Sequence, residues 1–574
     1  MLNSWIRALI ATILLTLPSA TARAQVFPGG FLELSTSGEV RPRYTAAQIQ
    51  GFLPSRGAFT FPTPYNTAAV RITNASDCGG GDCVVPVGYS YWANINNHTG
   101  SDTMLIVLGL SQARGGTGPT LFSYDKVTEQ VTNLGPLFDS SSRFRGATVE
   151  GWYFSATDPD VLYMTDGSKL LRYDVLTHQS STVFDAASWL GSGVYIWQTH
   201  SSADDQVHIG TVRSNATYAM LGCAAYRADT GQFSYFPAQG ILDECHLDKS
   251  GRWLVMLDNV DLAYGEDNRI IDLQTGTETL LMDQAGAAGH ADMGSGYMVA
   301  EDNWASVPGA IRMWKLDQTP LTGQLVYSMV DWQADAGHIA HGNAVPGVAP
   351  EQQYVCSSNA TRVQVPRSNE VVCYRLDSSE DVAIVAPVMT DLDAPGGGDD
   401  YSKRPKGNLD VTGRYFIWTS NMGGNRLDAF VVKVPSHLLS GTGPDVTQPV
   451  VSGSGISSGQ QPLNTTSSRT VGSVTGSGIT SSGVTIIWTT DVACESLVEY
   501  GSDFNYGNVS PRGTALVTSH QVTLTGLAPG TQHHYRVISR DSQGRTTVSG
   551  DYLFTTLSEE SRGRRKRALR LWER

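Results

Sequence analysis

The sequence predicts an all-β chain, a seven-bladed β-propeller followed by a β-sandwich. Three observations predict it. First, a short phrase recurs one blade-length apart: His246-Leu-Asp248-Lys-Ser-Gly251-Arg-Trp253, then His290-Ala-Asp292-Met-Gly-Ser-Gly296-Tyr297, then Asn408-Leu-Asp410-Val-Thr-Gly413-Arg-Tyr415. Self-similarity at roughly 40–50 residues marks units of four strands stacked around an axis. Second, apolar runs of four to eight residues, separated by turn signals, fill seven consecutive units. Third, 60 glycines and only 16% charged residues suit a turn-rich β chain.

The elements follow in order. Arg7 ends a short basic start, Ala8 to Leu17 is an apolar run too short to span a bilayer, and Ala22-Arg23-Ala24 is a small-x-small cleavage site. Residues 1–24 therefore read as a signal peptide, and the mature chain as an exported protein that does not span the membrane. Residues 25–89 are rich in Pro and Gly and read as an entry segment that supplies a strand to close the ring. Residues 90–436 hold the seven units, at about 90–138, 148–185, 195–240, 242–284, 287–332, 337–390 and 400–435. Residues 437–475 are a flexible Gly/Ser/Thr linker. Residues 476–557 form the sandwich, and 558–574 a basic tail read as a solvated end.

Seven cysteines suit an oxidising compartment. Cys78 and Cys83 bracket a tight Gly-rich loop and are expected to pair. Cys356 and Cys373 flank a long loop between two strand-like runs. Cys223 and Cys245 are the next pair, which leaves Cys494 over, although spacing alone does not fix connectivity. The net charge of −14 gives the body no affinity for nucleic acid on charge grounds.

In a propeller the first strand of each blade lines the axis, so the recurring phrase sets His246, His290 and Asn408 at equivalent axial positions. The unit between the last two opens Gly337-His338-Ile-Ala-His341, and either histidine can take the same place. Three consecutive blades then offer a histidine near one mouth. Neutral imidazoles on neighbouring strands are good ligands for a divalent metal (Mn, Zn or Ca in the reading adopted), and three of them leave positions open for water or substrate. His246, His290 and His341 are the expected metal ligands, with His200, His338 and Asn408 on the substrate. Histidines that only line the channel and bind water are the plainer alternative. Asp248, Asp292 and Asp410 sit where Asp caps its own turn, and are read as structural. The last unit opens Asp399-Asp400-Tyr401-Ser-Lys403-Arg404-Pro-Lys406. It sets Tyr401, Arg404 and Lys406 at the mouth as catalytic or carboxylate-binding candidates, unless these cations merely pair with Asp399 and Asp400.

Two resemblances follow from these residues. In 476–557, Trp488, the Leu527-Ala-Pro529-Gly530-Thr531 turn and Tyr535 together resemble the fibronectin type III family, which implies a β-sandwich with a tyrosine corner. The propeller, with its His-bearing first strands, resembles the oligogalacturonate lyases. That resemblance implies a His-held divalent metal on the axis and β-elimination on a uronate polymer. The Asp-x-x-Gly-Arg-aromatic turn is equally similar to non-catalytic TolB-like and WD40-like propellers. The functional expectation is action on, or binding to, an extracellular polysaccharide or surface glycan at the mouth. The alternative is a non-catalytic propeller that binds a glycan or protein.

Overall fold

The computed structural model describes residues 27–439, apart from 99–100, 264, 301–309, 330–337 and 343–347. It also describes 471–557, apart from 478, 503–507, 512, 541–545 and 550–551. The expected signal peptide, the basic tail and most of the expected linker lie outside the described residues. The chain forms two compact units, 1–448 and 449–574.

The first unit is a seven-bladed β-propeller. Its seven sheets are antiparallel meanders taken in chain order. Their first strands are Ile95–Asn96, Tyr153–Phe154, Val194–Ser201, Ile241–Leu247, Ala291–Met293, His338–Ala340 and Asn408–Leu409. No sheet can bury both faces alone, so each packs on the next. Trp253, Val255 and Ile270 of blade 4 meet Met298, Ala300 and Trp314 of blade 5 in one apolar cluster. A further cluster joins Ile106, Leu108 and Phe122 of blade 1 to Ile417, Ala429 and Val431 of blade 7, and so closes the ring.

The ring is latched by the entry segment. Blade 7 draws three strands from the end of the unit and two, Ala68–Arg71 and Gly57–Thr60, from its start. Phe31–Glu33 adds a fifth strand to blade 6 through register with Val382, Ala383 and Ile384. The latch carries a buried charge cluster in which Asp428 accepts from Arg71, Arg426 and Thr73. Removing one partner of a buried pair costs about 3–5 kcal/mol, because the other charge stays buried. Asp428→Ala is therefore expected to lower the urea midpoint of the propeller by a free energy of that order. An unchanged midpoint would show that the latch does not hold the ring.

The cysteines pair as Cys78–Cys83, Cys223–Cys245 and Cys356–Cys373, with Cys494 free and buried. Cys356 and Cys373 face each other in register across two strands, and Cys223–Cys245 ties blade 3 to blade 4. Among the described residues no helix is long and apolar enough to cross a membrane.

The second unit is a β-sandwich. Its longest strand, Gly483–Gly501, serves both sheets. The first part pairs with Val471–Ser477 and Gly513–Thr525, and the end pairs with Gln532–Arg540. Trp488, Val498, Leu527 and Tyr535 are buried together in its core, and the Trp488 indole donates to Ser539 Oγ at 2.8 Å.

Candidate functional site

The central channel is crossed by one short segment, Tyr89-Ser90-Tyr91-Trp92, which leads into blade 1. Its side chains reach residues of five other blades. Trp92 is buried; its indole donates to the Thr199 carbonyl of blade 3 at 3.1 Å. A Cβ on Gly151, at the start of blade 2, would lie 3.7 Å from the Trp92 ring. The Tyr91 hydroxyl donates to Glu244 of blade 4 at 2.6 Å, and its ring lies 5.0 Å from those of His200 and His246. The Tyr89 hydroxyl pairs with that of Tyr401, ahead of blade 7, at 2.8 Å, and its ring meets His338 of blade 6 edge-on at 4.8 Å. A segment that touches this many blades plugs the axis and makes the mouth a bowl rather than a pore.

On one side of the bowl lies a buried ion pair. Along Ile241–Leu247 the register slips between Leu242 and Glu244, so Asp243 is an extra, bulged residue. Beyond the bulge, Glu244 and His246 stand two apart on one face, and Glu244 Oε1 meets His246 Nε2 at 2.7 Å. Both side chains are buried. Burial alone would push the Glu244 carboxyl up, but His246 and the Tyr91 hydroxyl outweigh it and hold it at about 2. Burial would push His246 down, and the Glu244 charge outweighs it to hold the imidazole above its ordinary value. His200, whose ring centroid is 5.1 Å from that of His246, is pushed well below its ordinary value by burial and by its charged neighbour, and is neutral.

The other side is basic and aromatic. The Lys406 ammonium sits 3.6 Å from the centroid of the Tyr401 ring and donates to the Tyr401 carbonyl at 3.0 Å. Burial pushes Lys406 down to about 8, against the opposing pull of Glu150 and Asp399. Tyr401 is 55% exposed. Arg404 is exposed and makes no ion pair among the described residues. The acidic neighbours that the sequence offered it are engaged elsewhere. Asp399 caps the short helix Asp400–Lys403 by accepting from the Ser402 amide, and Asp400 pairs with Arg362 at 2.6 Å. Lys403 is buried and donates to the Leu392 carbonyl.

The sequence-predicted residues therefore divide. His200 joins His246, His290 joins His338 with ring centroids 5.1 Å apart, and Tyr401 joins Lys406. His341 and Asn408 do not join them. His341 Nε2 bonds the Tyr297 hydroxyl at 2.5 Å, and its amide donates to Asp292 at 2.6 Å. Asp292 stands two residues beyond His290, so His341 sits one step deeper and His338 takes the level of His290. Asn408 is fully buried and exchanges hydrogen bonds with Asn94, joining blade 7 to blade 1. Asp248 and Asp410 accept from the amides of Trp253 and Tyr415 and cap their turns as the phrase predicts.

The three-histidine ligand set does not form. His246 Nε2 is engaged by Glu244 and His341 by Tyr297. Among the described residues, the group of three whose ligand atoms lie within 4.8 Å of one another is Asp261, Asp267 and Asp283, in the loops of blade 4. The donor set of the mouth thus does not fit a metal held by His246, His290 and His341.

Sequence reasoning missed Glu244, Tyr89 and Tyr91. Glu244 could have been found from its two-residue spacing to His246. The bulge at Asp243 hid it, because an unbroken alternation would have set a different residue beside the axis. Tyr89-Ser-Tyr91 has the same spacing but precedes the first repeat, where no periodicity points inward.

Neither a comparison with protein families nor one with curated proteins found a match. Among solved structures, the chain is similar to an oligogalacturonate lyase from Vibrio parahaemolyticus (TM-score 0.48, 10% identity, 70% of this chain and 100% of that one). It is similar to an oligogalacturonate lyase in complex with manganese (0.47, 13%, 70% and 99%) and to TolB from Acinetobacter baumannii (0.30, 10%, 60% and 82%). A human fibronectin type III domain is similar to 16% of the chain at 21% identity, with TM-score 0.13 and 74% of that domain covered. At these identities the likeness speaks to fold and carries no residue's role across.

Proposed function

We propose that this is an exported propeller that acts on an acidic extracellular polysaccharide at the plugged mouth, by β-elimination at a uronate. The observation that supports it most is Arg404, an exposed guanidinium with no ion-pair partner among the described residues, two positions from a buried lysine that loses its proton near pH 8. A planar guanidinium matches a carboxylate in two parallel hydrogen bonds. Pairing the uronate carboxylate neutralises it and makes the adjacent C5 proton more acidic. The free Lys406 amine takes that proton. The electrons form a C4–C5 double bond as the C4–oxygen bond breaks, and the Tyr401 hydroxyl, held by Tyr89, gives its proton to the leaving oxygen. Lys406 then returns the captured proton to Tyr401. Tyr401 and Tyr89 also offer faces on which a pyranose ring stacks. No step is assigned to a metal, since the histidines do not converge on one. The C-terminal sandwich is a fibronectin type III module in this reading.

The test is electrophoresis of the full chain through gels cast with acidic or neutral polysaccharides. Retention by a uronate polymer, relieved by salt, is expected. Equal mobility in all gels would overturn the proposal. Retention without product would leave a binding propeller instead of a lyase.

A further inference from the structure

Beneath the plug the channel widens into a chamber of about 100 Å³ lined by all seven blades. Three polar atoms on its wall have no hydrogen-bond partner among the described residues: His200 Nε2, Thr199 Oγ1 and Asp205 Oδ1. Their residues are 8%, 0% and 9% exposed. The other Asp205 oxygen is fully engaged, accepting from Ser155, from the Thr157 hydroxyl and from the Thr157 amide. Leaving such groups dry costs about 1–3 kcal/mol each, and a polar cavity recovers that cost with ordered water at ~10–15 Å³ per molecule. The chamber has room for several. At its far end the lining residues Ala156, Ala203, Lys249, Gly342 and Val411 are partly exposed, so that end faces solvent.

We propose that this chamber is a hydrated shaft, whose ordered waters bond His200, Thr199 and Asp205 and connect them to solvent at the mouth opposite the plug. The His200 ring lies 5.1 Å from that of His246. Water on His200 therefore gives the buried Glu244–His246 pair a route for proton exchange that does not require Tyr91 and Trp92 to move. The shaft stands on its own geometry; only its use in turnover rests on the proposed function.

Hydroxyl-radical footprinting by X-ray radiolysis of the full chain tests it, because radicals form from the waters themselves and mark side chains beside them. Tyr153 and His200 line the chamber, whereas the equally buried Trp314 and Trp418 do not. Tyr153 and His200 are expected to be modified several-fold faster, relative to their intrinsic reactivity, than the two tryptophans. Ala156→Leu, which narrows the far end, is expected to reduce the labelling of His200 and leave Trp418 unchanged. Labelling of Tyr153 and His200 no faster than that of Trp418 would overturn the proposal. If the variant loosens the fold and raises Trp418 as well, a crystal structure of the unaltered chain decides. Density for water within hydrogen-bond reach of His200 Nε2 supports the shaft, and an empty chamber refutes it.

Discussion

Glu244→Ala is expected to destabilise the propeller by about 3–5 kcal/mol, the cost of leaving one member of a buried pair behind. The substitution removes the acceptor of both His246 and the Tyr91 hydroxyl, so the plug loosens together with blade 4. The pH dependence identifies the cause. Glu244 is depressed from 4.5 to about 2, so its contribution to stability is complete above 4.5 and is lost as pH falls toward 2. His246 is raised above 6.5, so its contribution is complete below 6.5 and is lost as pH rises through the raised value. Urea unfolding across pH should show both limbs in the unaltered protein and neither in the variant. An equal midpoint at neutral pH, or limbs unchanged by the substitution, would remove the ion pair from the account.

Arg404→Ala should fold normally, since its side chain is exposed and engages no described carboxylate, yet bind a uronate polymer ~10- to 150-fold more weakly. That range corresponds to one charge-assisted hydrogen-bonding group of about 1.5–3 kcal/mol. Lys406→Met should retain binding and lose product. In the unaltered protein the rate should rise with pH through about 8, because the amine accepts a proton only when it is free. A pH–rate profile flat between 7 and 9, values bracketing that pKa, would assign the proton to another group.

The architecture was legible because repetition and strand periodicity are local. The recurring phrase reports the same turn in blades 4 and 7, where Asp248 and Asp410 cap the amides of Trp253 and Tyr415. The site was only partly legible. Equivalent position in a repeat predicts which strand a residue occupies, but not how deep it sits or what it meets across the axis. Thus Asn408 aligned with His246 and His290, yet it is consumed in joining blades 7 and 1. His338 and His341 were indistinguishable by spacing, and only the Tyr297 contact separates them. Asp292 fits the capping phrase, but its carboxylate reaches across to the His341 amide. The plug was invisible for a related reason. Tyr89 and Tyr91 bond Tyr401 and Glu244, partners 312 and 153 residues away, and nothing in the surrounding sequence encodes such contacts.

The most direct measurement is absorbance in the near ultraviolet while the purified full chain is incubated with a panel of uronate polymers, beside the Arg404→Ala variant. The account predicts growth of an unsaturated product on at least one polymer, lost or strongly reduced in the variant. No product on any of them, or product undiminished by the substitution, would contradict the assignment of this mouth as a uronate-cleaving site.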